Sequence, residues 1–480
     1  MSNPGHHATA APAEQLATTL ARMKQAHLDE GPASLELRRD RLDRAIALLL
    51  DNREALVEAV SADFGNRSRE QTLLCDIAGS VASLKHCREH LGEWMQSQAH
   101  PAPFRGCESR VDYQPLGVVG VISPWNFPIV LAFGPLASIF AAGNRAMLKP
   151  SELTPRTSAL IEELIARYFH ENELRTVLGD AEVGALFSAQ PFDHLIFTGG
   201  TAVARHIMRA ASDNLVPVTL ELGGKSPVLV SRSADLATAV QRVMTVKTLN
   251  AGQICLAPDY VLLPEELLED FVGEAVRFVT SMYPTLRGNP DYTSIINPRN
   301  FDRLLGYLAD AEAKGARLVE INPAQEDLGD REIRKIAPTL VLDTHEQMQV
   351  LREEIFGPLL PIKTYRDFAT AIDYVNGRPR PLAAYYFGED ADERRQVLER
   401  TTSGAVVIND VMSHVLFEAL PFGGVGHSGM GAYHGVYGFR TFSHAKAVVV
   451  QSPIGESNLA MRAPYGAMVH GLLDHLLTAH

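Results

Sequence analysis

Gly117-Val118-Val119-Gly120-Val121-Ile122 is the run whose reading decides the architecture. A short, continuous apolar segment without polar alternation is what a strand covered on both faces requires. Ala146-Met147-Leu148, His194-Leu195-Ile196-Phe197 and Pro227-Val228-Leu229-Val230 read the same way, with helical stretches such as Thr157–Phe169 and Ala202–Ala211 between them. Strands that alternate with helices imply a parallel sheet with right-handed crossovers. The pattern resumes at Tyr260-Val261-Leu262-Leu263, Thr339-Leu340-Val341-Leu342 and Ala405-Val406-Val407-Ile408. Two α/β domains with Cys255 at or near their boundary account for this order, and no internal repeat or low-complexity linker interrupts it.

Upstream of the alternation the periodicity is helical. Leu35, Leu42, Ile46, Leu49, Leu50 and Leu56 predict one amphipathic helix from Ser34 to Ala62, ended near Phe64-Gly65. A second helical stretch is expected roughly from Glu70 to Met95, and alternation of Val111 and Tyr113 within Arg110–Gln114 predicts a strand or hairpin before Pro115. The Ala/Pro/His-rich segment Met1 to Glu14 lacks the basic-then-apolar order of a signal peptide, so a frayed tail is expected there.

Composition narrows the function. A chain of 480 residues, 46% of them apolar, can bury a large core, and its length predicts two to four domains. A net charge of −13 without a basic block argues against nucleic-acid or anionic-membrane partners. Cys75, Cys87, Cys107 and Cys255 are too few and too scattered for a disulfide framework or a zinc knuckle, so no metal is expected and a reducing cytoplasm fits. The uncharged stretch Tyr113 to Asn144 contains Pro115, Pro124, Asn126, Pro128 and Pro135, which excludes a spanning helix. Leu472-Leu473-Asp474-His475-Leu476-Leu477 is too short to cross a bilayer and is expected as a docked or loosely ordered end.

The chemistry concentrates between residues 221 and 255. Leu220-Glu221-Leu222-Gly223-Gly224-Lys225-Ser226-Pro227 reads as a strand end running into a tight turn, and Cys255 follows the small, polar Asn250-Ala251-Gly252-Gln253. A nucleophilic thiol needs a loop of this kind and a base within reach; a structural cysteine beside a surface glutamate is the bland alternative. Phe197-Thr198-Gly199-Gly200-Thr201 lies between an apolar run and a helix, where backbone N–H groups can bind a pyrophosphate. Alone, a structural turn explains it as well. Lys149-Pro150-Ser151-Glu152 adds a cation and a carboxylate able to hold ribose hydroxyls, or simply a capped helix start.

Seven segments in order give the chain its resemblance. Pro124-Trp125-Asn126-Phe127-Pro128, Lys149-Pro150-Ser151-Glu152, Phe197-Thr198-Gly199, Leu220-Glu221-Leu222-Gly223-Gly224-Lys225, Gly252-Gln253-Ile254-Cys255, Glu353-Glu354-Ile355-Phe356-Gly357-Pro358 and Pro421-Phe422-Gly423-Gly424 together resemble the aldehyde dehydrogenase superfamily over nearly the whole length. Ala257-Pro258-Asp259-Tyr260 and Met430-Gly431-Ala432-Tyr433-His434-Gly435 are similar to its class 3 branch. Asp291–Asn297 and Arg378–Leu382 narrow it to bacterial members acting on aromatic aldehydes.

The resemblance implies a fold, a reaction and a set of residues. The fold is α/β: a Rossmann-like nucleotide-binding domain (1–98 and 119–221), an α/β catalytic domain (222–430), a small β oligomerisation element (99–118 and 431–452) and a C-terminal tail (453–480). The reaction is NAD(P)-dependent oxidation of a small-molecule aldehyde, coniferyl aldehyde to ferulate, with a broad-specificity enzyme as the alternative. Cys255 would be the nucleophile, Glu221 the base that activates water, and the Asn126 amide with the Cys255 N–H the oxyanion donors. Lys149 and Glu152 would meet the adenosine ribose, Gly199, Gly200 and Thr201 the pyrophosphate, and Glu354 with Phe356 the nicotinamide ribose. Glu152 near a 2′-hydroxyl favours NAD, with NADP possible through Lys149. Gly200 and Ala204 depart from the usual serine or asparagine and glycine. A homodimer is implied, with Cys107–Pro115 and Ala445–Gln451 at its interface.

Several residues stay open at this level. Lys225 either screens Glu221, sits in a surface turn or takes a direct catalytic part, and His414 either borders the substrate funnel or is packed. Trp125 and Phe422 read as packing groups able to flank an aromatic substrate, and Cys75, Cys87 and Cys107 as structural thiols. Coenzyme A as the acyl acceptor, and a silent scaffold, are the rival functions; Glu221 argues for water against the first, and the combined thiol, amide and glutamates against the second.

Overall fold

The computed structural model describes residues 12–102, 106–454, 458–459 and 462–478. Its six-stranded sheet has the order Gly429–Met430, Val218–Glu221, His194–Thr198, Val118–Ile122, Arg145–Lys149, Leu174–Thr176. The pairs are parallel except at the short Gly429–Met430 edge. Val118–Ile122 and Arg145–Lys149 are buried at every position, as the unbroken apolar runs predict. Each fully buried valine, leucine or isoleucine side chain contributes roughly 1.5–3 kcal/mol. The chain builds outward from Val118–Ile122 to Leu174–Thr176, then returns to place His194–Thr198 on the other side. That reversal opens a crevice at the carboxyl ends of Val118–Ile122 and His194–Thr198, where open α/β sheets bind ligands.

A seven-stranded sheet holds Arg317–Glu320, Thr339–Leu342, Leu359–Tyr365, Tyr260–Pro264, Pro227–Val230, Ala383–Phe387 and Ala405–Ile408 in that order. Only the Arg317–Glu320 edge is antiparallel. The third sheet is antiparallel and largely open to solvent: Gln98–His100, Glu108–Pro115 and Ser443–Val450, the last two in register from Ser443 with Pro115 to Val450 with Glu108.

Two helical expectations and those for the chain's two ends meet different outcomes in the structure. The helix foreseen from Ser34 to Ala62 is two, Leu35–Asp51 and Arg53–Phe64, because Asn52 leaves helical geometry and donates its side-chain amide to Leu48 O at 2.8 Å. The second helical stretch holds from Arg69 to Trp94, with a π-helical segment, Thr72–Ala78, within it. The expected tail is helix from Pro12 onward: Pro12–Glu30 starts on proline, which suits a first helical position, and buries Leu16, Leu20 and Met23. Its Lys24 pairs with Asp193 at 2.8 Å, and Asp193 also accepts from Val118 N, so the helix is tied to the central strand; residues 1–11 lie outside the described residues. The C-terminal segment is not docked. It forms a helix, Ala467–Leu477, with no buried residue.

The uncharged stretch resolves into the strand Val118–Ile122 and the helix Val130–Ala141, which carries Pro135. Among the described residues no helix is long and apolar enough to cross a membrane.

Candidate active site

Cys255 lies between two cavities and lines both. The first, of about 270 Å³, is bounded by the strand-end loops: Trp125 and Asn126 after Val118–Ile122, Gly199 and Gly200 after His194–Thr198, Glu221 to Gly223 after Val218–Glu221, with Glu354 and Phe356 opposite. The second, of about 340 Å³, is mostly apolar, with Phe127, Val130, Ile254, Leu416, Phe422 and Tyr433 among its walls. Only Cys255 and Leu131 belong to both linings.

The loop that presents the thiol is conformationally unusual. Asn250, Ala251 and Gly252 all have positive φ, at 49°, 50° and 71°. Two non-glycine residues in this region store strain, which surrounding contacts must hold. Those contacts are present: Asn250 Nδ2 donates to Asn126 O at 3.0 Å, and Gln253 Nε2 donates to Asn250 O and Ser294 O while its Oε1 accepts from Ile296 N. Gly252 admits no side chain, since a Cβ would lie 2.3 Å from Gly357 O. Asn126 Nδ2 donates to Gln253 O at 3.1 Å.

Beneath Asn126 sits an ion pair that sequence reasoning missed. Arg67 and Asp76 meet at 2.7 Å with both side chains fully buried. Arg67 also donates to Asn126 O at 2.8 Å, its guanidinium lying over the Phe127 ring at 4.7 Å. Asp76 accepts from Ile129 N and Val130 N at the start of the helix Val130–Ala141. Nothing local marks the pair; Asp76 lies within the unforeseen π-helical segment.

The electrostatics of the thiol are set by burial. Desolvation first, then the carboxyls of Glu354 and Glu221, push the Cys255 thiol up to about 12, against the pull of the N–H groups of Cys255 and Leu256. Glu221 is buried, not a surface glutamate, and both its carboxyl oxygens lack a partner. Burial alone raises it well above the usual carboxylate range. Glu354 is raised to about 7, by burial and then by Asp259.

Lys225 is turned neither to Glu221 nor to solvent. Its ammonium pairs with Asp259 and donates to Val350 O and Glu353 O, each at 2.8 Å. Asp259 in turn accepts from Ile355 N at 2.9 Å. Together with Arg303, which donates to Ile355 O at 2.9 Å, these groups fix the segment carrying Glu354 and Phe356. Arg303 and Asn300 line the first cavity and were not foreseen. Gly223 is needed for the approach of Glu354, because a Cβ there would fall 2.1 Å from its Oε1.

Other candidates divide between the two chambers and the rim. Gly200 precedes the helix Thr201–Ser212, whose first N–H groups receive no side-chain cap; a Cβ at Gly200 would meet nothing within 4 Å. Thr201 Oγ1 donates to His427 O at 3.2 Å, and the Ala204 methyl is buried in the core beneath the helix. Lys149 and Glu152 do not line the cavity. They sit at the end of the adjacent strand, paired at 3.1 Å. Trp125 packs edge-on to Phe356 at 5.3 Å, and Phe422 belongs to the second chamber, with His414 stacked at 6.1 Å and His434 at 5.0 Å. Burial lowers both imidazoles to about 4. Cys75 lines the second chamber, Cys87 is buried, and all four cysteines are free thiols.

Comparison with known proteins gives a consistent picture. Residues 3–448 match the Aldehyde dehydrogenase family. The chain is 78% identical over 466 residues to a coniferyl aldehyde dehydrogenase of a Pseudomonas species, covering 97% of each. It is 36% identical over 448 residues to aldehyde dehydrogenase family 3 member A2 of Mus musculus, covering 92% of this chain and 90% of that one. Among solved structures, the substrate-bound state of Staphylococcus aureus AldH superposes with a TM-score of 0.90 at 33% identity, covering 96% of this chain and 99% of that one. A P. syringae indole-3-acetaldehyde dehydrogenase in complex with NAD+ and IAA superposes at 0.84 with 25% identity, covering 92% and 89%.

Proposed function

The chain belongs to the aldehyde dehydrogenase family, and on that premise we propose that it oxidises coniferyl aldehyde to ferulate with NAD, through a thioester on Cys255. The observation that carries the reading is the position of Cys255, a loop thiol open both to a chamber at the sheet's ligand crevice, where Glu221, Glu354 and Asn126 converge, and to an apolar chamber large enough for a substituted ring.

The residues present fit a dinucleotide. The uncapped helix start beyond Gly200 offers N–H groups and open space to a pyrophosphate. Gly223 lets the Glu354 carboxyl reach into the cavity, where it and Phe356 would hold the nicotinamide ribose, while Lys149 and Glu152 would hold the adenosine ribose. The exposed carboxylate of Glu152, already paired with Lys149, supports NAD over a cofactor with a 2′-phosphate. When bound, the oxidised cofactor supplies the acceptor for a hydride.

On the chain's side, the Cys255 sulfur passes its proton to water and bonds to the aldehyde carbon, whose C=O electrons move to oxygen. That oxyanion takes the Asn126 amide hydrogen not committed to Gln253, together with the Cys255 N–H. A donor of this kind contributes roughly 3–4 kcal/mol to the transition state. The oxyanion then re-forms C=O as the C–H pair departs, leaving a thioester. Glu221, once ionised, takes a proton from water; the hydroxide attacks the thioester, the C–S bond breaks, and Glu221 returns that proton to the sulfur as the acid leaves. A desolvated carboxylate with raised proton affinity is a stronger base than an ordinary one.

The reading extends to the whole protein. Residues 1–98 with 119–221 would bind the nucleotide and 222–430 would carry the catalytic side. Residues 99–118 with 431–452 would join two copies into a dimer, supported by exposed Val449 and Val450 on the open antiparallel sheet. A reducing cytoplasm suits a chain that keeps its nucleophile as a free thiol. Mixing the protein with NAD and coniferyl aldehyde tests the function: reduced-nicotinamide absorbance and ferulate should rise together. Acyl-CoA as the main product would redirect the acceptor, and no oxidation of any aldehyde in a panel would end the reading. Light scattering at micromolar concentration should give twice the chain mass.

A further inference from the structure

The apolar chamber contains one acidic group that the chemistry at Cys255 leaves unused. Glu418 lines it, with Oε1 accepting from Ser83 Oγ on the facing helix Gly79–Trp94. Oε2 is shut off from solvent and has no partner. Among the described residues lining this chamber, it is the one buried side-chain oxygen or nitrogen left unpaired. The nearby unpaired His414 Nδ1 is not part of the lining. A carboxyl held in apolar surroundings with half its hydrogen-bonding capacity unused is an unfavourable arrangement unless a ligand completes it. Burial raises its proton affinity, against the Ser83 hydroxyl, in agreement with a group awaiting a partner.

We propose that Glu418 is a specificity-determining residue: a small turn of its carboxyl about the oxygen held by Ser83 brings Oε2 from its enclosed position to the chamber, where it accepts a hydrogen bond from the para-hydroxyl of an aromatic aldehyde whose carbonyl carbon lies at Cys255. The inference rests on the reading of this chamber as the aldehyde site. Cys255 and Glu418 line the same cavity, and in this proposal one rigid conjugated substrate runs from the first to the second. Ser83 fixes the carboxyl by occupying the other oxygen. An analogue without the hydroxyl leaves Oε2 unpaired, and unpaired buried polar groups reject such analogues far more strongly than a missing methylene does.

The test uses the full chain, NAD and three aldehydes: coniferyl aldehyde, its para-methoxy counterpart and cinnamaldehyde. The unaltered protein should favour the para-hydroxyl compound over the para-methoxy one in kcat/KM by about tenfold or more, as expected for a buried acceptor that is otherwise left unpaired. Glu418→Leu should bring that ratio toward one. Glu418→Gln keeps an acceptor oxygen and the Ser83 contact, preserves packing, and should retain part of the preference. The proposal is overturned if the unaltered protein shows no preference. It is equally overturned if Glu418→Leu, or Glu418→Gln should the leucine variant not fold, lowers all three aldehydes alike and leaves the ratio where it was. Either result leaves aldehyde oxidation itself standing; failure of the unaltered protein to oxidise any of the three removes the underlying reading instead.

Discussion

The side-chain amide of Asn126 donates to the backbone carbonyl of Gln253 across 3.1 Å, joining the loop after the central strand to the loop that ends in Cys255. An amide carries two N–H donors, and this bond uses one while aiming the group at the thiol's cavity. Asn126→Ala should therefore lower kcat by about 10²–10³-fold, as loss of an oxyanion donor does. Steady-state kinetics decide it: a change confined to KM would mean the amide binds substrate without stabilising the transition state.

Cys255→Ala should abolish hydride transfer and acyl labelling together, with a loss of at least about 10⁴-fold in kcat. Intact-mass measurement during turnover reads the adduct. Acid formed at the native rate without modification at position 255 would take the thiol out of the chemistry.

Replacing Glu221 by Gln should stall the reaction after one turnover, with a burst of reduced cofactor, an accumulating thioester and a steady state about 10²–10⁴-fold slower. Because burial raises Glu221, hydrolysis in the native protein needs a pH above the ordinary carboxylate range, and this limb of the rate profile should vanish in the variant. Rapid-quench measurement of the acylated fraction distinguishes a stall from a loss of acylation.

The same shift has a stability consequence of opposite sign. A carboxyl with a raised folded-state value contributes stability that is fully present below its unfolded value, 4.5, and is lost as pH rises through the folded one. Native protein should lose up to about 1.4 kcal/mol per pH unit from this group in that window, and Glu221→Gln should not. Thermal unfolding of both proteins from pH 4 to pH 9 should show the variant's advantage widening with pH; parallel curves would refute it.

Asp76→Asn should cost about 3–5 kcal/mol, because it leaves the Arg67 guanidinium buried without its counter-charge. Activity should fall too, since Arg67 supports the backbone of Asn126. Denaturant titration with kinetics on the folded fraction separates the two effects.

Much of this organisation was legible in the chain. Runs such as Val118–Ile122 can satisfy their side chains only inside a parallel sheet, and the glycines after His194–Thr198 sit where such a sheet leaves helix N–H groups free. What escaped depends on long-range contacts. The Pro12–Glu30 helix is specified by three buried residues meeting a distant sheet, and a composition rich in alanine and proline obscures it. The break at Asn52 is one residue's backbone excursion inside an unbroken apolar rhythm. Lys225 reads as a surface charge until Asp259, 34 residues later, folds against it. The full burial of Glu221 escapes the sequence for the same reason: the elements that desolvate it are far away along the chain.

The meeting of two chambers at a single sulfur also governs how the protein can be inhibited. An electrophile small and flat enough to enter beside Phe422 would reach the thiol without passing the nucleotide's side. Its inactivation rate would then be indifferent to cofactor competition, and saturating dinucleotide would offer the protein no shelter from it.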